Sequence, residues 1–353
     1  MITIDRLEAF MSGPRLGITM GDPAGIGPEI IAKACARLKP RLADGSLSLL
    51  IIGSVTAMRA MESISGRIEE EQPSASATGV FPPVAILEAG PERTPIETGV
   101  LSAEGGRLAY LAIEKAVRLA QAGSIAGIVT APLNKEALNL AGYHYAGHTD
   151  MLAELTGARD SVMMLAHGDF RVSHVSTHVA LAQVPSKLTE PRLRRVIQLT
   201  VEALHGLGIA HPRIAIAALN PHAGEGGIFG REDIDITTPV VASYKSTDFT
   251  VFGPVPGDTV FVKLRARQYD AVVAMYHDQG HVPVKLLGFN VDPATGEWKA
   301  LSGVNVTLGL PIIRTSVDHG TAFDIAGRGI ANEDSLVEAI EFAVQMAAAK
   351  STP

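Results

Sequence analysis

The stretch RLGITMGDPAGIGPEIIAKACARL, residues 15–38, contains one complete strand–turn–helix unit. Residues 15–20 predict a strand, and residues 28–38 predict a helix with Pro28 in its first turn. The glycine- and proline-rich residues 21–29 open this helix, so their backbone amides are placed to face an anion. This segment matches neither the GxGxxG nor the Walker A motif, so it indicates the fold class more firmly than it indicates a ligand.

The same alternation of strand and helix continues along the chain. Strands are predicted at 47–53, 125–132, 213–219, 269–275 and 304–310, and helices at 107–123, 189–208 and 333–350. The strands are continuously apolar rather than alternating, which is typical of a mostly parallel sheet covered by helices on both faces. Because 353 residues are many for one core, we expect two α/β/α domains.

Composition narrows the class of protein. A net charge of −7 and a pI near 5.9 argue against a nucleic-acid-binding surface. No apolar run reaches the roughly 18 residues that suggest a membrane span, and the N-terminus lacks the features of a signal peptide. The single cysteine, Cys35, excludes internal disulfides and leaves histidine and carboxylate side chains to bind any metal. We therefore expect a soluble cytoplasmic protein.

The histidines are unevenly distributed, since all 11 lie within residues 144–319. His178, His222 and His277 each follow a predicted strand, and His148 lies at the predicted start of a helix. The carboxyl ends of strands line the ligand crevice in open α/β sheets. Neutral imidazoles that converge there suit Zn²⁺ or another divalent ion. The alternative is that each is a hydrogen-bonded loop histidine, but three at successive strand ends favour a site.

Two cationic side chains lie close to apolar segments. Lys285 follows the loop that contains His277, and Arg314 lies in the predicted strand LPIIRTSV. A buried cation is costly without an anionic partner, so both indicate an anionic substrate. The alternative is a pair of salt bridges with the neighbouring Asp278 and Asp318. Sequence alone leaves these two interpretations open.

Five longer motifs occur in order, and together they resemble one enzyme family. They are GITMGDPAGIGPEI (17–30), GHTDML (147–152), LNPHAGEGG (219–227), YHDQGHVPVK (276–285) and GVNVTLGLPIIRTSVDHGTAFDIAGRG (303–329). This set resembles the 4-hydroxythreonine-4-phosphate dehydrogenases of vitamin B6 synthesis, and the resemblance runs from about Gly13 to the end of the chain. Residues 318–332 are also similar to the cofactor loop of isocitrate and isopropylmalate dehydrogenases.

The resemblance implies an isocitrate/isopropylmalate dehydrogenase-like architecture with the active site in the cleft between two domains. We expect residues 1–134 with 316–353 in the first domain, and 135–315 in the second, which would carry the metal ligands and the dimer interface. The family forms homodimers with the site shared between subunits, so one metal ligand is expected from the neighbouring chain.

The resemblance also implies roles for individual residues. The expected metal ligands are His178, His222 and His277. The expected substrate contacts are His148, Thr149, Lys285, Asn305 and Arg314. The expected contacts to the adenine side of NAD are His319, Gly320, Thr321, Ala322 and Asn332.

The implied reaction oxidises a phosphorylated 3-hydroxy acid and transfers hydride to NAD⁺, and the resulting 3-keto acid then loses CO₂. A divalent metal is expected to polarise the new carbonyl group, and nitrogen ligation favours Zn²⁺, Mn²⁺ or Co²⁺ over Mg²⁺. From charge and position, Lys285 is predicted to balance negative charge or relay a proton. Asp278 is predicted to orient a ligand histidine.

One region departs from the pattern of the vitamin B6 enzymes. Residues 290–302, NVDPATGEWKALS, stand where only one or two residues are expected. The insertion looks more like the branch of the family that acts on 4-phospho-D-threonate or 4-phospho-D-erythronate. The identity of the phosphorylated hydroxy acid therefore stays open at this stage.

Other functions compete with this interpretation. Within the same family, a dihydrodiol dehydrogenase for an aromatic dicarboxylate would place a ring carboxylate where the phosphate is expected. In another class, a metal-dependent hydrolase or lyase would use three histidines and a bound water, but it would leave residues 318–332 without a role. A non-catalytic binding protein accounts for the fewest of these features.

Overall fold

The computed structural model describes residues 13–71, 82–91, 93–145, 147–245, 248–296 and 298–350. The chain divides into two compact units. Unit 1 contains the described residues of Met1–Arg159 and Leu310–Ala348, and unit 2 contains those of Asp160–Gly309 and Ala349–Pro353. The boundaries at 134/135 and 315/316, which follow from the family resemblance, stay a prediction about how the chain is organised.

The strands are numbered in chain order. They are β1 (Arg15–Thr19), β2 (Ser48–Gly53), β3 (Glu69–Glu70), β4 (Val84–Glu88), β5 (Gly127–Thr130), β6 (Val162–His167), β7 (Phe170–His174), β8 (Arg213–Ala217), β9 (Thr250–Val255), β10 (Ala271–Ala274), β11 (Phe289–Val291), β12 (Trp298–Leu301), β13 (Val304–Leu308) and β14 (Ile313–Val317).

The α-helices are numbered in the same way. They are α1 (Gly27–Arg37), α2 (Lys39–Ala43), α3 (Val55–Arg59), α4 (Glu62–Ser65), α5 (Ala103–Gln121), α6 (Lys135–Leu140), α7 (His148–Thr156), α8 (Val184–Lys187), α9 (Glu190–His205), α10 (Thr238–Ser243), α11 (Gly257–Arg265), α12 (His277–Gly288) and α13 (Asp334–Lys350).

The strands of unit 1 lie in the order β3-β4-β2-β1-β5-β14, and every neighbouring pair is parallel. All residues of β2 and β5 are buried. Since successive side chains of a strand point to opposite faces, both faces of this sheet must be covered. Burial of both faces therefore explains why the strands read as continuous apolar runs in the sequence.

The strands of unit 2 lie in the order β13-β6-β7-β10-β8-β9. The pairs β7–β10, β10–β8 and β8–β9 are parallel, whereas β13–β6 and β6–β7 are antiparallel. A separate antiparallel hairpin joins β11 to β12. The prediction of a mostly parallel α/β fold is confirmed.

Helices cover these sheets through their apolar faces. In α5, Leu108, Ala112, Ile113 and Ala116 are buried, and the Ser102 side chain caps the first turn by accepting a hydrogen bond from the Gly105 amide. Among the described residues, no helix is long and apolar enough to cross a membrane.

One local prediction was wrong. The segment after β10 was interpreted as a loop at the end of a strand, but its residues from His277 onward form helix α12. Proline usually ends a helix, yet Pro283 lies in the interior of this one. The polar residues of this motif therefore follow helical rather than extended spacing.

Candidate active site

Two of the three predicted metal-binding histidines lie at neighbouring strand ends in unit 2. Strands β7 and β10 are parallel partners, with His174 opposite Ala274. His178 follows β7 and His277 begins α12 directly after β10, so the two side chains lie at the same edge of the sheet. Their ring centroids are 5.6 Å apart. The sheet register is what brings together residues that are far apart in sequence.

His277 belongs to a group of imidazoles that continues into the unit. Its ring stacks on that of His281, with 3.6 Å between centroids and 11° between planes. His281 in turn lies 4.8 Å from His174. The ring nitrogen Nδ1 of His281 is 2.9 Å from the backbone oxygen of His277, and this contact fixes the orientation of the His281 ring. The four histidines thus form one chain of ring contacts, in the order His178, His277, His281 and His174.

Burial keeps the inner members of this group neutral. Loss of hydration lowers the pKa of His174 to about 3 and that of His281 to about 4. No side chain fits at Gly280, because a Cβ there would overlap Nε2 of His174 and lie 2.9 Å from Val172. The helix therefore packs closely on β7, with glycine at the contact point.

Asp278 contacts the exposed side of the group. Its Oδ1 is 2.6 Å from Nδ1 of His277. With Nδ1 donating to the carboxylate, Nε2 of His277 is left to accept a hydrogen bond or bind a metal. The predicted contact between this aspartate and a candidate ligand histidine is present.

His222 occupies a different environment. It lies in the loop Pro221–Gly227 after β8, where His222, Ala223 and Glu225 have φ values of 53°, 56° and 40°. Non-glycine residues rarely adopt this left-handed conformation, so the loop is strained unless its surroundings hold it. The buried Asp233 carboxylate anchors its start by accepting hydrogen bonds of 2.9 and 2.8 Å from the Leu219 and Asn220 amides.

His222 is exposed and lines a cavity of about 760 Å³. Asn220, Tyr276, Asp278 and Gln279 line the same cavity. Within the part of the chain that the structure describes, no three His, Cys, Asp or Glu side chains form a group that could hold a metal ion. His222 therefore does not join His178 and His277 to make such a group within one chain.

The His178–His277 pair nevertheless fits a metal. Two imidazoles on one tetrahedral ion place their ring centroids about 5 Å apart, given a metal–nitrogen distance of about 2 Å. The observed 5.6 Å is close to this value. If both rings bound one ion, a single chain would supply two nitrogen ligands, fewer than the three that catalytic zinc sites usually take from protein.

A second set of predicted site residues lies in unit 1. His148 and Thr149 form the first turn of α7, whose backbone amides and dipole favour an anion. Nε2 of His148 is buried and has no hydrogen-bond partner among the described residues. Burial, and then the charge of Arg314, hold the pKa of His148 well below its usual range, so the ring is neutral at pH 7.

Arg314 supplies the positive charge of this set. It lies on β14, is almost fully buried, and donates a hydrogen bond of 2.7 Å from Nη2 to Oγ1 of Thr130 on β5. Loss of hydration lowers the pKa of its guanidinium to about 9, so it remains cationic at pH 7. A buried cation near a helix start is a suitable environment for a phosphate or carboxylate.

Lys285 and Asn305 lie in unit 2. Lys285 is on α12, eight residues after His277 and four after His281, so all three side chains share one face of the helix. Its Nζ is 5.0 Å from the centroid of the Phe289 ring. Asn305 is on β13, opposite Leu165 of β6.

The segment His319–Asn332 follows β14. The backbone oxygen of Thr321 accepts a hydrogen bond of 3.0 Å from the Ile26 amide, and Ala322 has a φ of 42°. Nε2 of His319 is buried without a hydrogen-bond partner among the described residues, and burial lowers the pKa of the ring. The Asn332 side chain is engaged at the start of α13, where Oδ1 accepts from the Asp334 amide at 2.8 Å.

Comparison with known proteins identifies the family. Residues 46–343 match the family model described as "Pyridoxal phosphate biosynthetic protein PdxA". The chain belongs to the PdxA family. This confirms the family that the five sequence motifs predicted.

Individual relatives of this PdxA-family chain are similar over almost their whole length. A protein of Bradyrhizobium diazoefficiens, whose name assigns it provisionally as a D-threonate 4-phosphate dehydrogenase, is 66% identical, with 97% of this chain and 99% of that protein covered. The D-threonate 4-phosphate dehydrogenase of Pectobacterium atrosepticum is 46% identical, with 94% and 99% covered. The crystal structure of 4-hydroxythreonine-4-phosphate dehydrogenase from Klebsiella pneumoniae is 42% identical, with a TM-score of 0.78 and coverage of 96% and 99%.

In this PdxA-family chain, most of the β11–β12 hairpin is formed by residues 290–302, the segment that was interpreted as an insertion from the sequence. The hairpin joins the helix that carries Lys285 to the strand that carries Asn305. Its base is closed by a hydrogen bond of 3.0 Å from the Ser302 amide to the Gly288 oxygen, and a Cβ on Gly288 would overlap that Ser302 carbonyl group. The insertion is therefore joined directly to both elements that carry predicted substrate contacts in unit 2.

Sequence reasoning missed two residues of this region. His174 lies in the same RVSHVSTH motif as His178, but it is inside the strand, and only the helix packing shows that it contacts His281. Asp233 supports the His222 loop from 11 positions further along the chain, and nothing in its local sequence indicates that role.

Proposed function

We propose that this protein oxidises a 4-phosphorylated 3-hydroxy acid with NAD⁺ and a divalent metal, and that its preferred substrate is 4-phospho-D-threonate. The substrate class is supported by the names of the relatives, and the specific substrate by the two that are 66% and 46% identical. The observation that supports the chemistry is the proximity of the His178 and His277 rings, together with the contact between the Asp278 carboxylate and Nδ1 of His277.

His178 and His277 would hold the metal, with His222 of the partner subunit as the third ligand. A bound Zn²⁺, Mn²⁺ or Co²⁺ supplies Lewis acidity at the substrate hydroxyl and at the carbonyl oxygen that replaces it. Asp278 would fix the orientation of the His277 ring by accepting a hydrogen bond from its Nδ1–H. His281 supports the opposite face of that ring by stacking.

A homodimer is supported by the surface beside His222. Helix α12 exposes Val282 and Leu286, which are 61% and 80% exposed, and both line the cavity that contains His222. Apolar side chains grouped next to a functional residue are typical of an interface. A second copy of this chain would cover them and bring its own His222 to the site.

The groups of unit 1 would bind the negative charges of the substrate. Arg314 offers a buried guanidinium, and the first turn of α7 offers the amides and side chains of His148 and Thr149. Neutral His148 can donate a hydrogen bond to an anion without adding charge. Lys285 and Asn305 are also proposed to contact the substrate, and Lys285 would offset charge that develops as CO₂ leaves.

The reaction balances in two steps. The C3–H bond breaks as hydride passes to NAD⁺ and the hydroxyl proton is released, which gives NADH and a 3-keto acid. The bond from C2 to the carboxylate then breaks, CO₂ departs, and a proton from Lys285 or solvent reaches C2. His319, Gly320, Thr321, Ala322 and Asn332 would bind the adenine side of NAD.

The decisive experiment measures NADH formation by metal-loaded protein with 4-phospho-D-threonate, 4-phospho-D-erythronate and 4-phosphohydroxy-L-threonine. We expect kcat/KM to be highest for 4-phospho-D-threonate, by about tenfold or more. A substrate that fits the pocket less well loses roughly 1–3 kcal/mol of transition-state binding. His222→Ala is expected to reduce kcat by at least about a hundredfold, since one metal ligand is lost.

His211→Ala is the matched control, because His211 is exposed in the same unit and lies outside the proposed site. It should retain the kinetics of the unaltered protein. Preference for 4-phosphohydroxy-L-threonine would overturn the substrate assignment, and equal activity of both histidine variants would overturn the metal assignment.

A further inference from the structure

Helix α1 contacts the predicted cofactor segment through an ion pair whose carboxylate is buried and whose lysine is partly exposed. Glu29 lies in the first turn of α1, and Lys33 follows one turn later. Lys33 Nζ is 3.0 Å from Oε1 of Glu29. The Glu29 side chain is 2% exposed and that of Lys33 is 20% exposed. A charged pair that is so poorly hydrated persists when its remaining hydrogen-bonding capacity is used.

That capacity is used by two residues of the segment. Glu29 accepts hydrogen bonds from the amides of Ala331 and Gly329, at 2.8 and 3.1 Å. Lys33 donates to the backbone oxygens of the same two residues, at 2.6 and 2.9 Å. One ion pair thus satisfies the amide and the carbonyl of alternate residues, as a neighbouring strand would.

The segment is also held at its other end. The Ile26 amide, just before α1, donates to the Thr321 oxygen. A Cβ on Gly25 would lie 2.9 Å from that same oxygen, so the chain passes closely there. The residues between Thr321 and Gly329 are thus held at both ends by the start of one helix.

We infer that Glu29 and Lys33 are positioning residues for the cofactor, which act by fixing the backbone of residues 329–331 next to Asn332. The inference rests on the proposed role of residues 319–332 in NAD binding. The two side chains do not contact the cofactor themselves. They keep the segment in one conformation, so that less conformational entropy is lost when NAD binds.

Lys33→Met tests this inference, because it removes both donated hydrogen bonds while keeping the length of the side chain. We expect the KM for NAD to rise about tenfold or more, since hydrogen bonds to a charged group are lost. The kcat and the KM for the phosphorylated substrate should change less than about twofold, because no group that contacts the substrate is altered. Lys33→Arg should restore much of the affinity for NAD.

Arg41→Met is the matched control. Arg41 pairs with Glu341 of α13, so it also links the start of the chain to its end, but it does not contact residues 319–332. The kcat and KM values of Arg41→Met should equal those of the unaltered protein. A second readout is hydrogen exchange at the Gly329 and Ala331 amides without NAD, which should be faster in Glu29→Gln and unaffected in Arg41→Met.

The outcomes separate this inference from the proposed function. If His319→Ala raises the KM for NAD but Lys33→Met does not, the positioning role is wrong and the cofactor site stands. If neither variant affects the KM for NAD, the assignment of residues 319–332 is wrong, and the inference fails with it. Equal effects of Lys33→Met and Lys33→Arg on every kinetic constant would also contradict the positioning role.

Discussion

Asp22 is a carboxyl group in an environment that disfavours its charge. Its side chain has no exposed surface, Oδ1 accepts one hydrogen bond of 3.0 Å from the Ala24 amide, and Oδ2 has no partner among the described residues. Loss of hydration raises its pKa from 3.8 to about 6. The folded state therefore holds the Asp22 proton at pH values where the unfolded chain has released it.

The direction of the pH effect follows from proton binding. Between pH 4 and pH 6 the folded state binds more protons at Asp22 than the unfolded state, so the free energy of unfolding falls as pH rises. Above that window the penalty is fully present and is about 3 kcal/mol. We predict that Asp22→Asn raises the unfolding temperature at pH 8 and raises it much less at pH 5, as measured by calorimetry.

Asparagine keeps the acceptor for the Ala24 amide, so the comparison isolates the charge. A gain in unfolding temperature that is the same at both pH values would show that the Asp22 carboxyl does not titrate in this window. A loss at both pH values would show that the ionised carboxylate has a stabilising contact.

The residues of the candidate site were partly predictable from the sequence. His178 and His277 follow strands that are parallel neighbours, and the rule that strand ends converge brings them within 5.6 Å. His222 also follows a strand, but its loop is left-handed at non-glycine positions, which no local pattern indicates. The contacts of Glu29 and Lys33 join residues about 300 positions apart, so sequence spacing could not reveal them.

At the scale of elements, glycine determines how closely α5 packs. The apolar period predicted a helix from residue 107, but the helix begins at Ala103 and includes Gly105 and Gly106. Two adjacent glycines look like a helix stop in sequence, because glycine lowers helix stability by about 1 kcal/mol. In the structure, a Cβ on Gly106 would overlap the carbonyl group of Ala137 and lie 2.6 Å from the Leu138 nitrogen.

Gly106→Ala therefore sets two effects against each other. Helix propensity predicts a gain of about 1 kcal/mol in the free energy of unfolding. Overlap with the backbone of α6 predicts a loss of about 1–3 kcal/mol beyond that gain, since a backbone atom cannot rotate away. We expect net destabilisation, measured by urea unfolding, and a stabilised variant would mean that α6 moves aside easily.

Helix α12 shows why the type of an element matters for a site. If YHDQGHVPVK were a loop, its sequence would not show which polar side chains lie on the same side. As a helix, it places His277, His281 and Lys285 on one face, and Asp278, Val282 and Leu286 on the next. Periodicity did not reveal the helix because glycine and proline interrupt it, at Gly280 and Pro283. Both are tolerated here, and Gly280 is required by the contact with His174.

At the scale of the whole chain, the parallel fold was predictable because every buried strand in a parallel sheet reads as a continuous apolar run. The antiparallel pairs of β6 with β7 and β13 were not. The turn between β6 and β7 is short and leaves little signal, and β13 lies too far from β6 in sequence for local patterns to indicate their pairing. The proposed dimer depends on the surface of the chain, where apolar residues of α12 and His222 line the same cavity.

Leu286→Asp tests the proposed assembly. Leu286 is 80% exposed in the single chain, and a symmetric interface would bury it twice. Each buried leucine contributes about 2 kcal/mol, so a charge there should raise the dimer dissociation constant at least on the order of a hundredfold. We expect the variant to sediment as a monomer at micromolar concentration and to lose dehydrogenase activity, because His178 and His277 would lack their third ligand.

Leu140→Asp provides the comparison, because Leu140 is 57% exposed on α6 of the other unit and lies outside the proposed interface. It should keep both the assembly and the activity of the unaltered protein. A monomeric Leu286→Asp protein with full activity would show that each chain completes its own site, and the role of His222 of the partner subunit would then be excluded. A dimeric variant would place the interface on a different surface of the molecule.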